Sequence, residues 1–155
     1  MKGYFPNLHI SINGGVETLA QAKALLETGL DGVMIGRAAY HQPVDILGEA
    51  DRLIFGIDRS TTAEEAVQAM LPYIEAHLTS GGRLNQITRH MMGVFAGRPG
   101  ARIWRRMLSE EAHKPLAGPA LVEAALARVV QITQDARDAQ AALAADKARN
   151  PVGGT

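Results

Sequence analysis

The tightest constraint on this chain is a strand, a helix and a second strand between Leu8 and Gly36, with a glycine feature after each strand. Leu8-His9-Ile10-Ser11-Ile12 alternates apolar and polar residues, then meets Asn13-Gly14-Gly15, the pattern of a strand entering a tight turn. From Val16 to Thr28 the spacing becomes helical, with Leu19, Ala22, Leu25 and Leu26 on one face, and Gly29 ends it. Asp31-Gly32-Val33-Met34-Ile35-Gly36 is a nearly continuous apolar run, as expected of a buried parallel strand. The three together predict a right-handed βαβ unit. Two parallel strands cannot cover both of their own faces, and no later segment has a convincing strand pattern. The unit is therefore expected to belong to a larger barrel or sheet, and the chain to be a fragment of it.

After Pro43 the pattern is helical throughout. Thr62-Ala63-Glu64-Glu65 has the form of a capping box, followed by an apolar face of Val67, Met70, Leu71, Ile74 and Leu78. Pro72 falls inside that run and predicts a kink or a broken turn. A next helix places Leu84, Ile87, Met91 and Val94 on one face and closes at Gly97. Pro99 suits the first turn of a further helix, whose apolar side is Ala101, Trp104 and Leu108. Gly118-Pro119 opens a long last helix with Val122, Leu126, Val129 and Ile132 facing inward; its alanine-rich end, from Ala136, is expected to fray, and residues 150–155 to be disordered. The fold class is thus α/β plus all-α, with residues 1–56 as one part and 57–149 as a helical bundle.

There is no cysteine, which excludes a disulfide framework, a thiolate metal site and a cysteine nucleophile within these residues. His9, His41, His77 and His113 show no metal spacing, and His90 reads as a capping or surface histidine. No apolar run is long enough to span a bilayer and the start is no signal peptide, so an intracellular, cytoplasmic protein is expected. The net charge is zero but unevenly spread: residues 1–80 carry 5 Lys/Arg against 10 Asp/Glu, whereas residues 81–109 carry 6 Arg and no acid. That block points to a local anionic partner.

Two groups of residues are candidates for binding. Gly14-Gly15 and Gly36-Arg37 each follow a strand and precede a helix. Glycine lets the backbone approach an oxyanion, helix N-termini direct N–H groups at it, and an arginine adds a bidentate charge-assisted pair. Eight-stranded barrels place a phosphate between the loops after their seventh and eighth strands, and the spacing here matches. Each glycine feature alone is equally the mark of a tight βα turn. Asn13 is a ligand contact or a turn stabiliser, and Asp31 reads as a structural residue rather than a catalytic acid. The second group is Arg98, Arg102, Arg105 and Arg106, at i, i+4, i+7 and i+8 on one expected helical face, bordered by Arg89 and His90. The face fits a row of phosphates or a solvated surface paired with acids elsewhere. Trp104, on the other side, is expected to anchor the core.

These residues also carry a resemblance. Ser11-Ile12-Asn13-Gly14-Gly15 and Leu30-Asp31-Gly32-Val33-Met34-Ile35-Gly36-Arg37-Ala38-Ala39-Tyr40 resemble the FMN phosphate region of tRNA-dihydrouridine synthases. Ile87-Thr88-Arg89-His90-Met91-Met92-Gly93 and Pro99-Gly100-Ala101-Arg102-Ile103-Trp104-Arg105-Arg106 resemble the C-terminal domain of their A subfamily. The resemblance implies an FMN-binding (β/α)8 TIM barrel, of which residues 1–56 hold strands 7 and 8, followed by a helical tRNA-binding domain in a monomeric oxidoreductase. It implies reduction of D-loop uridines of tRNA to 5,6-dihydrouridine, with NADPH reducing the flavin and a cysteine donating the proton. It assigns the cofactor phosphate to Asn13, Gly14, Gly15, Gly36 and Arg37, and the tRNA to Arg102 and Arg105, with Arg89, Arg98 and Arg106 beside them; no metal and no membrane are involved. The catalytic cysteine and the lysine and histidine that hold the flavin ring would lie upstream, so the chain alone is expected to be inactive. Gln42-Pro43-Val44 departs from the family's usual Asn-Pro-aromatic stretch. The alternative is a stand-alone tRNA- or RNA-binding helical module without enzymatic activity.

Overall fold

The computed structural model describes residues 2–149. The order is β1 (Ser11–Asn13), α1 (Leu19–Glu27), β2 (Gly32–Met34), α2 (Arg37–His41), α3 (Pro43–Leu53), α4 (Ala63–Thr79), α5 (Leu84–Thr88), α6 (Ala101–Glu111) and α7 (Pro119–Arg149). The βαβ unit is present, with β1 and β2 parallel and Ser11, Ile12 and Asn13 opposite Gly32, Val33 and Met34. They are the only strands among the described residues, and the rest is mainly helical.

β1 begins later than the alternation at Leu8 suggests. The Ile10 N–H is taken by the Asp31 carboxylate at 2.8 Å, and the Asp31 N–H donates to the Ile10 carbonyl at 3.0 Å. This side-chain bond closes the end of the ladder. Lys2 Nζ donates to the same carboxylate at 2.5 Å, so Asp31 holds the strand entrance, the structural role expected of it.

Two compact units divide the chain: residues up to Met70 together with His90–Ala96, and Leu71–Arg89 together with residues from Gly97 onward. In the first, α1 begins with a capping box between Thr18 and Gln21 and buries Leu19 and Ala22. Ile46, Val67, Met91 and Phe95 are also buried there. In the second, α6 packs along α7, and the buried residues include Trp104, Leu108, Val122, Ala125 and Val129. Trp104 is fully buried, as a core anchor should be.

The Thr62 box forms as expected: the Glu65 N–H donates to Thr62 Oγ1 at 3.1 Å and the Thr62 N–H to Glu65 Oε2 at 2.8 Å. Pro72 does not break α4, which runs through it to Thr79. Pro72 and Gln68 are both exposed, and a missing helical hydrogen bond costs least on such a side, where water can take the donor's place. The helix expected to reach Val94 stops at Thr88. Residues 89–100 are turns, closed by Val94 N–H to the Met91 carbonyl and Ala96 N–H to the Gly93 carbonyl. A three-residue apolar spacing suits such turns as well as a helix. Pro99 precedes the Gly100 N-cap of α6 instead of sitting in its first turn. α7 continues as helix to Arg149, beyond the Ala136 point where fraying was expected. The expectation for residues 150–155 lies outside the described residues.

Candidate functional site

β1 ends at Asn13 and β2 at Met34, side by side in a parallel pair, so both following loops leave the same edge. Gly14 and Gly15 take φ of 112° and 72°, a left-handed path that other residues rarely follow. It turns the chain at once toward α1. Gly36 caps α2 and Arg37 is its first residue. The result is a cleft of about 680 Å³ lined by Asn13, Gly14, Gly15, Gly36 and Arg37, together with residues from the start of α1 and the end of α2. All five residues singled out in the sequence thus border one cavity.

The cleft holds groups that the sequence did not single out. His41 lies four residues after Arg37 on α2 and lines the cleft with it. The i, i+4 relation was available as a signal, but a lone histidine carries no such mark by itself. Glu17 is the one acid among the lining residues. The α1 donors are largely spent: Gln21 Oε1 accepts the N–H groups of Glu17 at 2.8 Å and Thr18 at 3.2 Å, and Thr18 Oγ1 accepts that of Gln21. No side chain caps α2. Arg37 is exposed, with no ion pair among the described residues. Cationic donor capacity therefore lies on the α2 side.

The second candidate surface is on α6. Arg102, Arg105 and Arg106 are exposed while Trp104 and Leu108 are buried, so the helix separates a basic from an apolar face. These three arginines make no ion pair among the described residues. Arg98 is not on the helix: it lies in the turn before Gly100 and is half-buried. Arg89 is the C-cap of α5. The arrangement from Arg98 to Arg106 is therefore a helical face of three arginines with a fourth in the preceding loop.

No helix among the described residues is long and apolar enough to cross a membrane. No group of three or more His, Cys, Asp or Glu residues could hold a metal ion among them.

A parallel βαβ unit with a glycine-lined cleft at its strand ends precedes a helix on which Arg102, Arg105 and Arg106 are exposed. The profile of the family described as Dihydrouridine synthase (Dus) matches residues 1–132, and the chain belongs to that family. It is similar to the tRNA-dihydrouridine(20/20a) synthase of Shewanella oneidensis, 55% identical over 126 residues that cover 81% of this chain and 37% of that protein. The protein of the same name from Yersinia pestis is 53% identical over 130 residues, covering 83% of this chain and 37% of the relative. That from Vibrio cholerae is 49% identical over 130 residues, covering 83% and 39%. The resemblance read from the residues is thereby borne out. The chain spans less than two fifths of the length of these relatives.

Proposed function

We propose that this chain is the C-terminal part of a flavin-dependent tRNA-dihydrouridine synthase, a cytoplasmic enzyme that is monomeric when whole. In this reading residues 1–56 hold strands 7 and 8 of a (β/α)8 barrel, and residues 57–149 form the tRNA-binding helical domain. The observation that carries it is the convergence of Asn13, Gly14, Gly15, Gly36 and Arg37 on one cleft.

The residues present suit the phosphate end of FMN. Two positive-φ glycines let the backbone come close to an oxyanion. Arg37 offers a planar pair of donors, His41 stands on the same helix, and Asn13 contributes an amide. Glu17 is the one acid on the lining and repels phosphate from its own side, which favours seating against Arg37. When bound and reduced by NADPH, the flavin supplies hydride to the C5–C6 double bond of a D-loop uridine. This chain's share of that work is to hold the cofactor's phosphate and the RNA. Arg102 and Arg105, with Arg106 beside them, engage phosphates of the tRNA backbone; Arg89 and Arg98 add to the surface from the flanking turns. A target base must leave its stack to reach the flavin, so a firm grip on the backbone is what this helical part contributes.

The chain contains no cysteine to donate the proton that accompanies the hydride, so by itself it is expected to bind without turnover. The test is titration of the 155-residue chain with FMN and with tRNA. FMN should bind, and Arg37→Ala should weaken it about tenfold or more, as expected for loss of a charge-assisted pair. Dihydrouridine formation by the chain alone with FMN and NADPH would refute inactivity. The exposed arginines of α6 also favour a second reading, a helical RNA-binding module without enzymatic activity. That reading predicts tRNA binding with no affinity for FMN.

A further inference from the structure

Residues His90–Ala96 follow α5 in the chain but belong to the same compact unit as the cleft. They overlap the stretch Thr88-Arg89-His90-Met91-Met92-Gly93, to which the binding reading gives no role beyond Arg89. In the fold they grip α2. Tyr40 Oη and His90 Nδ1 are hydrogen-bonded at 3.0 Å, with the rings edge to face and their centroids 6.0 Å apart. Gly93 lies flat against the C-terminal end of α2: a Cβ there would stand 2.5 Å from the His41 carbonyl oxygen and 3.0 Å from that of Tyr40. Both obstacles are backbone, so neither can swing aside. Met91 and Phe95 are buried at 5% and 1% exposure, which fixes the segment in place.

The helix so held has only five residues, far too few to be stable by itself. Yet it carries Arg37 and His41, which line the cleft together. We infer that residues 90–96 are a clasp that sets α2, and through it Arg37 and His41, for binding a phosphate-bearing ligand, with His90 and Gly93 as positioning residues. The inference rests on the phosphate reading of the cleft and adds a dependence that reading does not contain. Part of the phosphate site is built by chain that follows α5, so removing residues 90–96 would weaken it although they do not line it.

The experiment uses the whole 155-residue chain with FMN as the probe, followed by fluorescence quenching. Amide exchange is measured in parallel at Tyr40 and Gln42, whose N–H groups bond the Gly36 and Ala38 carbonyls along α2. Gly93→Ala should speed exchange at both amides and weaken FMN about tenfold or more, the scale of a displaced contact set. Tyr40→Phe and His90→Ala should each weaken FMN roughly two- to tenfold, the scale of a lost hydrogen bond. His90→Asn, which keeps a hydrogen-bonding group close to the Nδ1 position, should recover part of the loss; a role in bulk packing alone would give no such rescue. If Gly93→Ala does not fold, Tyr40→Phe and the two His90 variants decide the matter. FMN affinity unchanged in the Tyr40 and His90 variants, while Arg37→Ala loses it, overturns the clasp and leaves the phosphate reading standing. FMN affinity unaffected by Arg37→Ala, or no binding by the unaltered chain, overturns the phosphate reading and the inference together.

Discussion

Leu116 has a φ of 68° and is fully exposed. A leucine in the left-handed region costs about 1–2 kcal/mol through the clash of its Cβ with the following carbonyl, and here the side chain buries nothing in return. Leu116→Gly should therefore stabilise the protein by up to about 1 kcal/mol, part of the relief being offset by the greater freedom of glycine in the unfolded chain. The check is the urea midpoint at unchanged slope. Asp31 invites a second test. The Ile10 N–H, then the Lys2 ammonium, favour its charged form and hold the carboxyl below the ordinary aspartate range. A depressed folded-state value means that its contribution is complete above the unfolded value, near pH 4, and is lost as pH falls through the folded one. The stability gap between the native protein and Asp31→Asn should thus be widest near neutrality and close on acidification below about pH 4. A gap independent of pH would show that the carboxylate does not hold the strand entrance.

At the scale of elements, α6 separates its tasks most clearly. Trp104 and Leu108 face the core while Arg102, Arg105 and Arg106 face solvent without ion pairs among the described residues. Substitutions on the two faces should read out in different experiments. Trp104→Ala should cost about 3–5 kcal/mol of stability, the range for truncating a buried large aromatic residue. The double substitution Arg102→Ala with Arg105→Ala should change stability by no more than about 0.5 kcal/mol. It should, however, weaken tRNA binding and flatten its dependence on the logarithm of salt concentration by roughly two, one for each phosphate contact removed. Loss of tRNA affinity with an unchanged salt slope would mean that these arginines act other than through phosphates. α4 makes a different point. Its capping box and apolar face were legible in the sequence, but its continuity through Pro72 was not, because that depends on which side of the helix the freed carbonyl meets water.

Across the whole molecule, exposed large apolar side chains concentrate before residue 58: Tyr4, Phe5, Leu8, Leu47, Phe55 and Ile57 are all more than half exposed. Parallel strands are ordinarily covered on both faces, and within their own unit β1 and β2 pair with each other and β2 packs against α1. The second unit instead has α6 packed along α7 over a fully buried Trp104. Hydrogen exchange on the isolated chain should therefore show weaker protection at residues 10–50 than at residues 101–130. Equal protection in a monomer would contradict it. The βαβ unit, the glycine features, the paired sides of α6 and the family were all present in the sequence, because hydrophobic period, glycine placement and charge spacing are local properties. Local pattern could not end α5 at Thr88, since a three-residue apolar spacing serves turns and helix alike. Nor could it place His41 in the cleft, or bring His90 and Gly93 onto α2 across some fifty residues of chain. Those contacts are fixed only when the backbone of one segment closes against that of another, and steric fit of that kind exists only in the tertiary structure.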